Sequence, residues 1–189
     1  MRNLFILIEG PDNCGKTTLI NNLKNHYSDY TLHALHYSNV KQPTPEKTIE
    51  FSTKLYTQMF SIMQNLSTKY KTGVICDRSH LGEMVYGPIY RGYTGDYVLD
   101  IEKKNKINIS FWDSLFLITL RDSAERLIER DDGLSFSTDL DKKNTEINNF
   151  INAHNQSLIK HKLLLDIETH DAEQALDAAV KFIEGKRND

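Results

Sequence analysis

Eight residues near the start of the chain, 10–17, follow the spacing G-x-x-x-x-G-K-T. Glycines at the two fixed positions let the backbone turn its N–H groups inward and approach a phosphate closely. Lys16 can reach the β- and γ-phosphates of a nucleoside triphosphate, and the Thr17 hydroxyl can ligate Mg²⁺. The motif therefore predicts a phosphate-binding loop. The residues expected to contact the nucleotide are Gly10, Asn13, Cys14, Gly15, Lys16, Thr17 and Thr18.

The sequence on either side of this loop supplies the context that the motif requires. The apolar run 5–8 predicts a buried strand, and Leu19, Ile20 and Leu23 begin a helical spacing. The N-terminus of that helix adds partial positive charge beside the phosphates. This position favours a lowered pKa for Cys14, but no redox partner is nearby, and we expect Cys14 to be a small residue of the loop. A chance glycine-rich turn before a helix is the alternative. The agreement of motif and context favours the phosphate loop.

Length and composition narrow the classes of protein to which the chain can belong. The 189 residues suit a single domain, and the net charge of −3 argues against broad electrostatic binding to nucleic acid, although a local basic groove stays open. No apolar run approaches the ~20 residues of a membrane span. Cys14 and Cys76 have no metal-ligand spacing and indicate reduced thiols, so we expect a cytoplasmic protein that does not bind membranes.

Strand and helix patterns alternate along the chain. Apolar runs predict five strands, at 5–8, 31–37, 74–76, 114–120 and 163–167. Helices are expected at 15–26, 44–70, 79–86, 96–104, 123–130, 147–158 and 172–183, with Gly87-Pro88 ending the third and a capping box at 122–125 opening the fifth. The alternation predicts an α/β fold, a doubly wound parallel five-stranded sheet flanked by helices.

The carboxyl ends of these strands collect further polar groups, where ligands of such sheets bind. Asp77 can join the Mg²⁺ shell or accept a proton from an attacking oxygen, and Arg78 can clamp a substrate phosphate. Tyr37 lies at the end of the second strand and Asp12 inside the phosphate loop. An ion pair at a strand end is the alternative for Asp77 and Arg78, and their place after a phosphate loop favours function.

Two arginines, Arg126 and Arg130, approach a loop at 131–137. An arginine that closes over a transferring phosphoryl group stabilises its charge, and Arg130 is the better candidate because it lies nearer the loop. Pairing with Glu125 and Glu129 on the helix surface is the alternative.

A further group of residues consists of candidates for binding the acceptor, and no motif specifies them. Arg91 and the tyrosines around it can line an acceptor pocket or simply pack within a loop. Phe60, on the long second helix, has a position that favours core packing, and we retain it as a candidate for the acceptor pocket.

Residues 9–18 resemble the phosphate loop of the thymidylate kinase family, which carries an acidic residue where Asp12 stands. Asp77-Arg78 matches the family's pair after its third strand, and residues 120–130 are similar to its fourth strand and lid entry. The resemblance implies a P-loop kinase fold, ATP, Mg²⁺, a nucleoside monophosphate acceptor and often a homodimer. It also implies a single kinase domain, 1–189, with a lid around 131–141.

The chain departs from that family on the acceptor side, as a divergent, viral-type member would. Tyr37-Ser38-Asn39-Val40 stands where the family has Arg-Glu-Pro-Gly, and an insertion around 86–106 has no counterpart. Deoxynucleoside kinases also carry Asp-Arg-Ser, but their glutamate at the end of strand two is missing here.

The leading hypothesis is an ATP-dependent kinase of dTMP or a related deoxynucleotide, in which Asp12 accepts a hydrogen bond from a sugar hydroxyl. A kinase of a deoxynucleoside, or of a modified base in DNA, is the second. A nucleotide-dependent binding module without transferase activity is the third.

Overall fold

The computed structural model describes residues 3–67 and 70–188. Its strands are Leu4–Glu9 (β1), Thr31–His36 (β2), Thr72–Asp77 (β3), Leu115–Arg121 (β4) and His161–Asp166 (β5). They form a sheet in the order β2-β3-β1-β4-β5, and each neighbouring pair is parallel. The predicted parallel five-stranded sheet is confirmed.

Helices on both faces connect the strands. They are Lys16–His26 (α1), Pro45–Leu66 (α2), Gly82–Tyr86 (α3), Val98–Asn105 (α4), Ile109–Trp112 (α5), Ala124–Glu129 (α6), Leu140–Gln156 (α7) and Ala172–Asn188 (α8). The predicted second helix was too long, because α2 ends at Leu66, and residues 68–69 lie outside the described residues. Helix α7 begins before residue 147, because Asp139 accepts a hydrogen bond from the Lys142 N–H and caps it there.

The central strand β1 is buried on both faces, which is what a parallel sheet covered by helices requires. Phe5 and Leu7 pack into the core beneath α2, α4 and α5, whereas Ile6 and Ile8 pack into the opposite core with α1 and α8. Burying one such side chain is worth about 1.5–3 kcal/mol. The two cores fix β1, and with it the loop that follows, in the middle of the sheet.

Two local predictions were wrong. Gly87-Pro88 does not end the helical segment, which continues as a π-helical turn, Gly87–Arg91. Pro88 has no N–H to donate, and the bond that closes this turn runs from the Gly92 N–H to the Gly87 carbonyl oxygen. The capping box at 122–125 does not form either. Ser123 precedes α6 without a side-chain cap, and Asp122 Oδ1 accepts its N–H instead.

The strand order brings several loops to one edge of the sheet. From β1 the chain passes to the edge strand β2, returns to β3 beside β1, and then crosses to β4 and β5 on the other side of β1. Ligands of open α/β sheets bind outside the carboxyl ends where the direction reverses, and here that position is occupied by the loop after β1. Among the described residues, no helix has both the length and the apolar composition to cross a membrane.

Candidate active site

The loop between β1 and α1 has the backbone of an anion-binding turn. Gly10, Asn13 and Gly15 adopt positive φ angles of 142°, 66° and 86°. A Cβ atom on Gly10 would lie 2.6 Å from the carbonyl oxygen of Leu120, so no other residue fits there. Gly15 leads directly into α1, whose N-terminus carries partial positive charge. The residues predicted for the phosphate loop therefore lie in one turn at the carboxyl edge of the sheet.

The charged and hydroxyl groups of the loop border one cavity of about 560 Å³. Lys16 is buried, and its Nζ donates to the carbonyl oxygens of Gly10, at 3.0 Å, and Pro11. Thr17 and Thr18 are exposed and line the same cavity. An ammonium group and two hydroxyl groups thus surround a space wide enough for a chain of phosphates.

Cys14 is a small buried residue of the loop, as expected, but the expected direction of its pKa shift was wrong. Its side chain is buried, and burial raises the pKa of the thiol instead of lowering it, although Lys16 acts in the opposite direction. Its sulfur would lie 2.8 Å from a Cβ on Gly10, so it fills the inside of the loop. The position after β1 therefore makes Cys14 a packing residue, with no feature of a reactive thiol.

Asp77, the last residue of β3, lies beside His36, the last residue of β2. The His36 Nδ1 atom is 3.0 Å from Asp77 Oδ2, while Asp77 Oδ1 is buried and has no hydrogen-bond partner among the described residues. Both residues line the cavity that contains Lys16 and Thr17. His36 was not among the predicted site residues, although its place near the end of a predicted strand was the available signal.

These oxygen atoms suit Mg²⁺, which prefers hard ligands and keeps several of its waters. Thr17 and Asp77 border one cavity, and one carboxylate oxygen of Asp77 is left unpaired. No group of three or more His, Cys, Asp or Glu side chains in the described residues could hold a metal by itself. The residues present fit an ion that shares its shell with the phosphates of a nucleotide.

Arg78 connects the phosphate loop with the helices beyond β3. Its φ of 68° is unusual for a residue other than glycine, and its guanidinium pairs with the Asp12 carboxylate and donates to the Tyr86 hydroxyl at 3.4 Å. Burial acts to lower the pKa of Arg78, but Tyr86 and Asp12 together raise it, so the side chain stays charged. Burial also holds the pKa of Tyr86 well above its usual value, which keeps its hydroxyl protonated.

Glu9, which the sequence analysis did not assign, positions the turn that follows Arg78. It is buried at the end of β1 and accepts from the Ser79 N–H at 2.9 Å, the Ser79 hydroxyl at 2.6 Å and the Gly82 N–H at 3.3 Å. Burial raises the pKa of Glu9, and the Ser79 hydrogen bond acts against this. A glutamate at the end of a fully apolar strand was the available signal.

Arg126, on α6, and Arg130, which follows that helix, share the buried carboxylate of Asp122, which precedes it. Arg130 Nη1 is 2.8 Å from Asp122 Oδ2, and Arg126 Nε is 3.3 Å from Oδ1. Arg126 also donates to the carbonyl oxygen of Glu168 at 2.9 Å. The alternative was pairing with Glu125 and Glu129 on the helix surface, but Arg130 pairs with Asp122, and Arg126 contacts Asp122 and Glu168.

A second cavity, of about 240 Å³, adjoins the first and shares Asp12, His36 and Arg78 with it. Tyr37 is half-buried and lines it, as expected. Arg91 lines it too, but its guanidinium is paired with Glu83 at 2.7 Å. The other lining groups include Asn39, Tyr56, Glu83, Tyr86 and Phe136.

Phe60 does not line this cavity, so its prediction as a substrate-binding residue is wrong. Its side chain is 0% exposed and packs among other rings, with centroids 5.1 Å from His80 and 6.1 Å from Trp112. The face of α2 that carries Phe60 is turned into the core beneath β1.

A third cavity, of about 230 Å³, lies on the other side of the phosphate loop. It shares Gly15, Thr18 and Arg130 with the first, and Arg126 and His170 also line it. The three cavities therefore form a series along the carboxyl edge of the sheet, with the phosphate loop at its centre.

The segment 130–139, between α6 and α7, lies over the phosphate loop and the second cavity. Asn13 Nδ2 donates to Asp131 and to the Ser135 hydroxyl, each at 3.1 Å. The Phe136 ring stacks on Tyr90, with centroids 5.0 Å apart, and lies 5.3 Å from Tyr86. Aromatic contacts thus attach this segment to the π-helical turn.

A family model described as an AAA domain matches residues 5–160, which is most of the chain. The chain belongs to the AAA domain family. The matched span of this AAA domain protein runs from β1 to the residue before β5, so it includes the phosphate loop, Asp77, Arg78, Arg126 and Arg130. No curated protein matches the chain.

Solved structures with the same fold cover the chain almost completely. The YorR protein of Bacillus subtilis, in complex with phosphorylated GDP, is 16% identical, has a TM-score of 0.67 and covers 98% of each chain. The thymidylate kinase of Candida albicans is 17% identical with a TM-score of 0.68, and the match covers 99% of this chain and 93% of that one. The thymidylate kinase fold expected from the resemblance is confirmed, and at these identities the likeness concerns the fold.

Proposed function

We propose that the protein is an ATP-dependent kinase that transfers the γ-phosphate of ATP to dTMP or a related deoxynucleoside monophosphate. The observation that supports this most is the series of three adjoining cavities with the phosphate loop in the middle one. A triphosphate in the central cavity would extend its nucleoside to one side and its γ-phosphate toward the other, where the acceptor would bind.

The donor side uses the phosphate loop, Arg126 and Arg130. Lys16 would exchange its contacts with loop carbonyl oxygens for the phosphates, and the loop N–H groups would hold them in place. Thr17 and Asp77 would hold Mg²⁺, which supplies positive charge to the β- and γ-phosphates. Arg126 lines the third cavity, where it would lie beside the nucleoside of ATP. Arg130 lines both that third cavity and the phosphate cavity.

The acceptor side centres on Arg78. Because Arg78 and Asp12 lie where the two cavities meet, Arg78 would clamp the acceptor phosphate while Asp12 accepts a hydrogen bond from a sugar hydroxyl. An oxygen of that phosphate attacks the γ-phosphorus, the bond from the γ-phosphorus to the bridging oxygen breaks, and ADP leaves with the electron pair. A phosphate oxygen is already anionic, so the step needs no strong base.

In this proposal residues 1–189 form a single kinase domain, with a lid around 131–141 and an acceptor-side insertion around 86–106. The cytoplasmic location and the homodimer remain predictions.

A kinase of a nucleoside, or of a modified base in DNA, is the second candidate, and the His36–Asp77 contact of 3.0 Å favours it. The second strand does not end in the glutamate of deoxynucleoside kinases, but His36 occupies its last position. If the acceptor were a hydroxyl group, Asp77 supported by His36 would be the general base that removes its proton.

Turnover of defined acceptors tests the proposal. The protein is incubated with labelled ATP, Mg²⁺ and either dTMP, thymidine or DNA containing a hydroxymethylated base. We expect dTMP or a close analogue to be phosphorylated and the other two not. Arg78→Ala should raise the KM for the acceptor and lower kcat while ATP binding stays nearly intact. Turnover of thymidine or DNA, with none for any monophosphate, would instead make the second candidate correct.

Lys16→Ala is the control for the donor side. It should reduce turnover by several orders of magnitude, because Lys16 meets the charge of the phosphates. Circular dichroism should show that the variant is folded.

A further inference from the structure

Glu83 is a buried acidic side chain in the wall of the 240 Å³ cavity and has no role in the function proposed above. Its side chain is 2% exposed, and hydrogen-bond donors surround both of its oxygens. They come from Asn39, Tyr56, Arg91, Tyr93 and Tyr97. Because these donors saturate the carboxylate, Glu83 is not itself available to a ligand.

The contact with Glu83 determines how the Asn39 amide is oriented. Asn39 Nδ2 donates to Glu83 Oε2 at 2.9 Å and to the Tyr93 hydroxyl at 3.4 Å. The reversed amide would place its oxygen against the carboxylate, where two acceptors would repel each other. Glu83 therefore leaves the Asn39 oxygen to face away from it.

That oxygen is unsatisfied. Asn39 is 9% exposed, and its Oδ1 is buried with no hydrogen-bond partner among the described residues. Buried polar groups in native proteins nearly always have a partner, so an unpaired one in a residue that lines a cavity needs an explanation. A carbonyl oxygen can only accept, so the missing partner must carry an N–H or an O–H.

The position of Asn39 identifies what this partner is. Asn39 lines the cavity whose other end holds Arg78 and Asp12, the groups assigned above to the acceptor's phosphate and sugar. The remaining part of a nucleotide is its base. Tyr86 and Phe136 line the same cavity and offer rings against which a base can stack.

We infer that Asn39 determines base specificity by accepting, through Oδ1, an N–H of the acceptor's base, and that Glu83 is the positioning residue that orients the amide. The inference rests on the proposed function, and for dTMP the donor is the N3–H of thymine. Arg91 lines the same cavity, and its guanidinium has more N–H donors than its contacts with Glu83 and Tyr93 use. It is therefore placed to donate to a neighbouring carbonyl of the base.

A nucleotide without that N–H tests the inference on the unaltered protein. The probes are dTMP and 3-methyl-dTMP, and both turnover and binding by isothermal titration calorimetry are measured. The wild-type protein should prefer dTMP by about 10- to 100-fold in kcat/KM and in Kd, because the methylated base leaves the Asn39 oxygen unpaired. Asn39→Ala should abolish this preference, and Val40→Ala, at an exposed neighbour, should retain it.

Glu83→Gln tests the positioning role. The amide introduced by this substitution can donate to the Asn39 oxygen, which lets the Asn39 side chain reverse. We expect the KM for dTMP to rise and the preference over 3-methyl-dTMP to fall, while kcat at saturating dTMP and the Kd of ATP change little. A merely structural role would lower kcat and ATP binding as well.

The outcomes separate this inference from the function on which it rests. If dTMP and 3-methyl-dTMP are used equally well by the wild-type protein, the inference is wrong and the kinase assignment stands. If no monophosphate is phosphorylated, the assignment fails, and calorimetry still decides the inference. A preference for dTMP in binding supports it, and equal or absent binding overturns it.

Discussion

Arg126 lies on α6 and Arg130 directly follows the end of that helix, and the two differ in how they are held. Arg126 is held by two contacts, with Asp122 and with the carbonyl oxygen of Glu168, whereas the contact found for Arg130 is with Asp122. Arg130 also borders the phosphate cavity, and Arg126 borders only the cavity beside it. Arg130 is therefore the one that can reorient toward a transferring phosphoryl group.

Replacing each arginine separately distinguishes these roles. Arg130→Ala should lower kcat by about 10³-fold with little change in the Kd of ATP, because arginines that act on the transition state have effects of that size. Arg126→Ala is the matched control and should mainly weaken ATP binding. Steady-state kinetics and ATP titration measure both. Small and equal effects would mean that the two arginines serve only to neutralise Asp122, which retains one partner in either variant.

Single residues also show the limits of reading this site from sequence. The phosphate loop was predictable because its chemistry depends on a fixed local spacing. Phe60 was assigned wrongly and Glu83 was not assigned at all. Whether a helical side chain lines a cavity depends on which way its helix face is turned, and the sequence pattern does not specify that. The contact of Arg78 with Asp12 joins residues 66 positions apart, and no local pattern specifies it.

At the scale of elements, the segment 130–139 has few apolar contacts of its own. Phe136 is 57% exposed, although its ring stacks on Tyr90 of the π-helical turn. Tyr90 in turn donates to the Glu146 carboxylate of α7 at 2.5 Å. The sequence indicated a loop both at 131–137 and around Arg91. Their contact was not predicted, because Gly87-Pro88 indicated the end of the helix. The helix instead continues as the π-helical turn, which places Tyr90 beneath Phe136.

Removing the Phe136 ring should loosen this segment without unfolding the protein. A stacked aromatic pair contributes about 0.5–1.5 kcal/mol. We therefore expect Phe136→Ala to raise amide hydrogen exchange at 131–139 by about 2- to 10-fold and to raise the KM values of both substrates. The melting temperature should change little because the ring is more than half exposed. Phe51→Ala, at another exposed ring on α2, is the control. Unchanged exchange at 131–139 would show that the hydrogen bonds of Asn13 alone hold the segment.

For the whole molecule, the order of strands and helices could be predicted because each apolar run and each amphipathic stretch is a local signal. The burial of β1 on both faces appears in the sequence as the continuous run Leu4–Glu9, apolar up to its last residue. Buried polar contacts between layers were not predictable, since their partners are distant in sequence. His154 is one example. It lies on α7, its Nδ1 is 2.9 Å from the Thr119 hydroxyl on β4, and Lys162 of β5 donates to its carbonyl oxygen at 2.8 Å.

Burial makes His154 a determinant of stability against acid. Burial, with a smaller effect of the Lys162 charge, lowers the pKa of His154 to about 4, whereas an unfolded histidine has a pKa of about 6.5. Between these values the unfolded chain binds more protons, so the free energy of unfolding falls as the pH falls. From pH 7 to pH 5 this one residue should remove about 2 kcal/mol.

The dependence can be isolated with His154→Asn, which keeps a polar group near Nδ1 but cannot become charged. Urea unfolding at pH 7, 6 and 5 measures the free energy of unfolding of both proteins. Relative to the variant, the wild-type protein should lose about 2 kcal/mol of this free energy from pH 7 to pH 5. His161 also has its pKa lowered by burial, but it is present in both proteins and cancels in the difference. If the two curves of unfolding free energy against pH run parallel, His154 is either charged in the folded protein or reached by water, and the acid sensitivity must come from other buried groups.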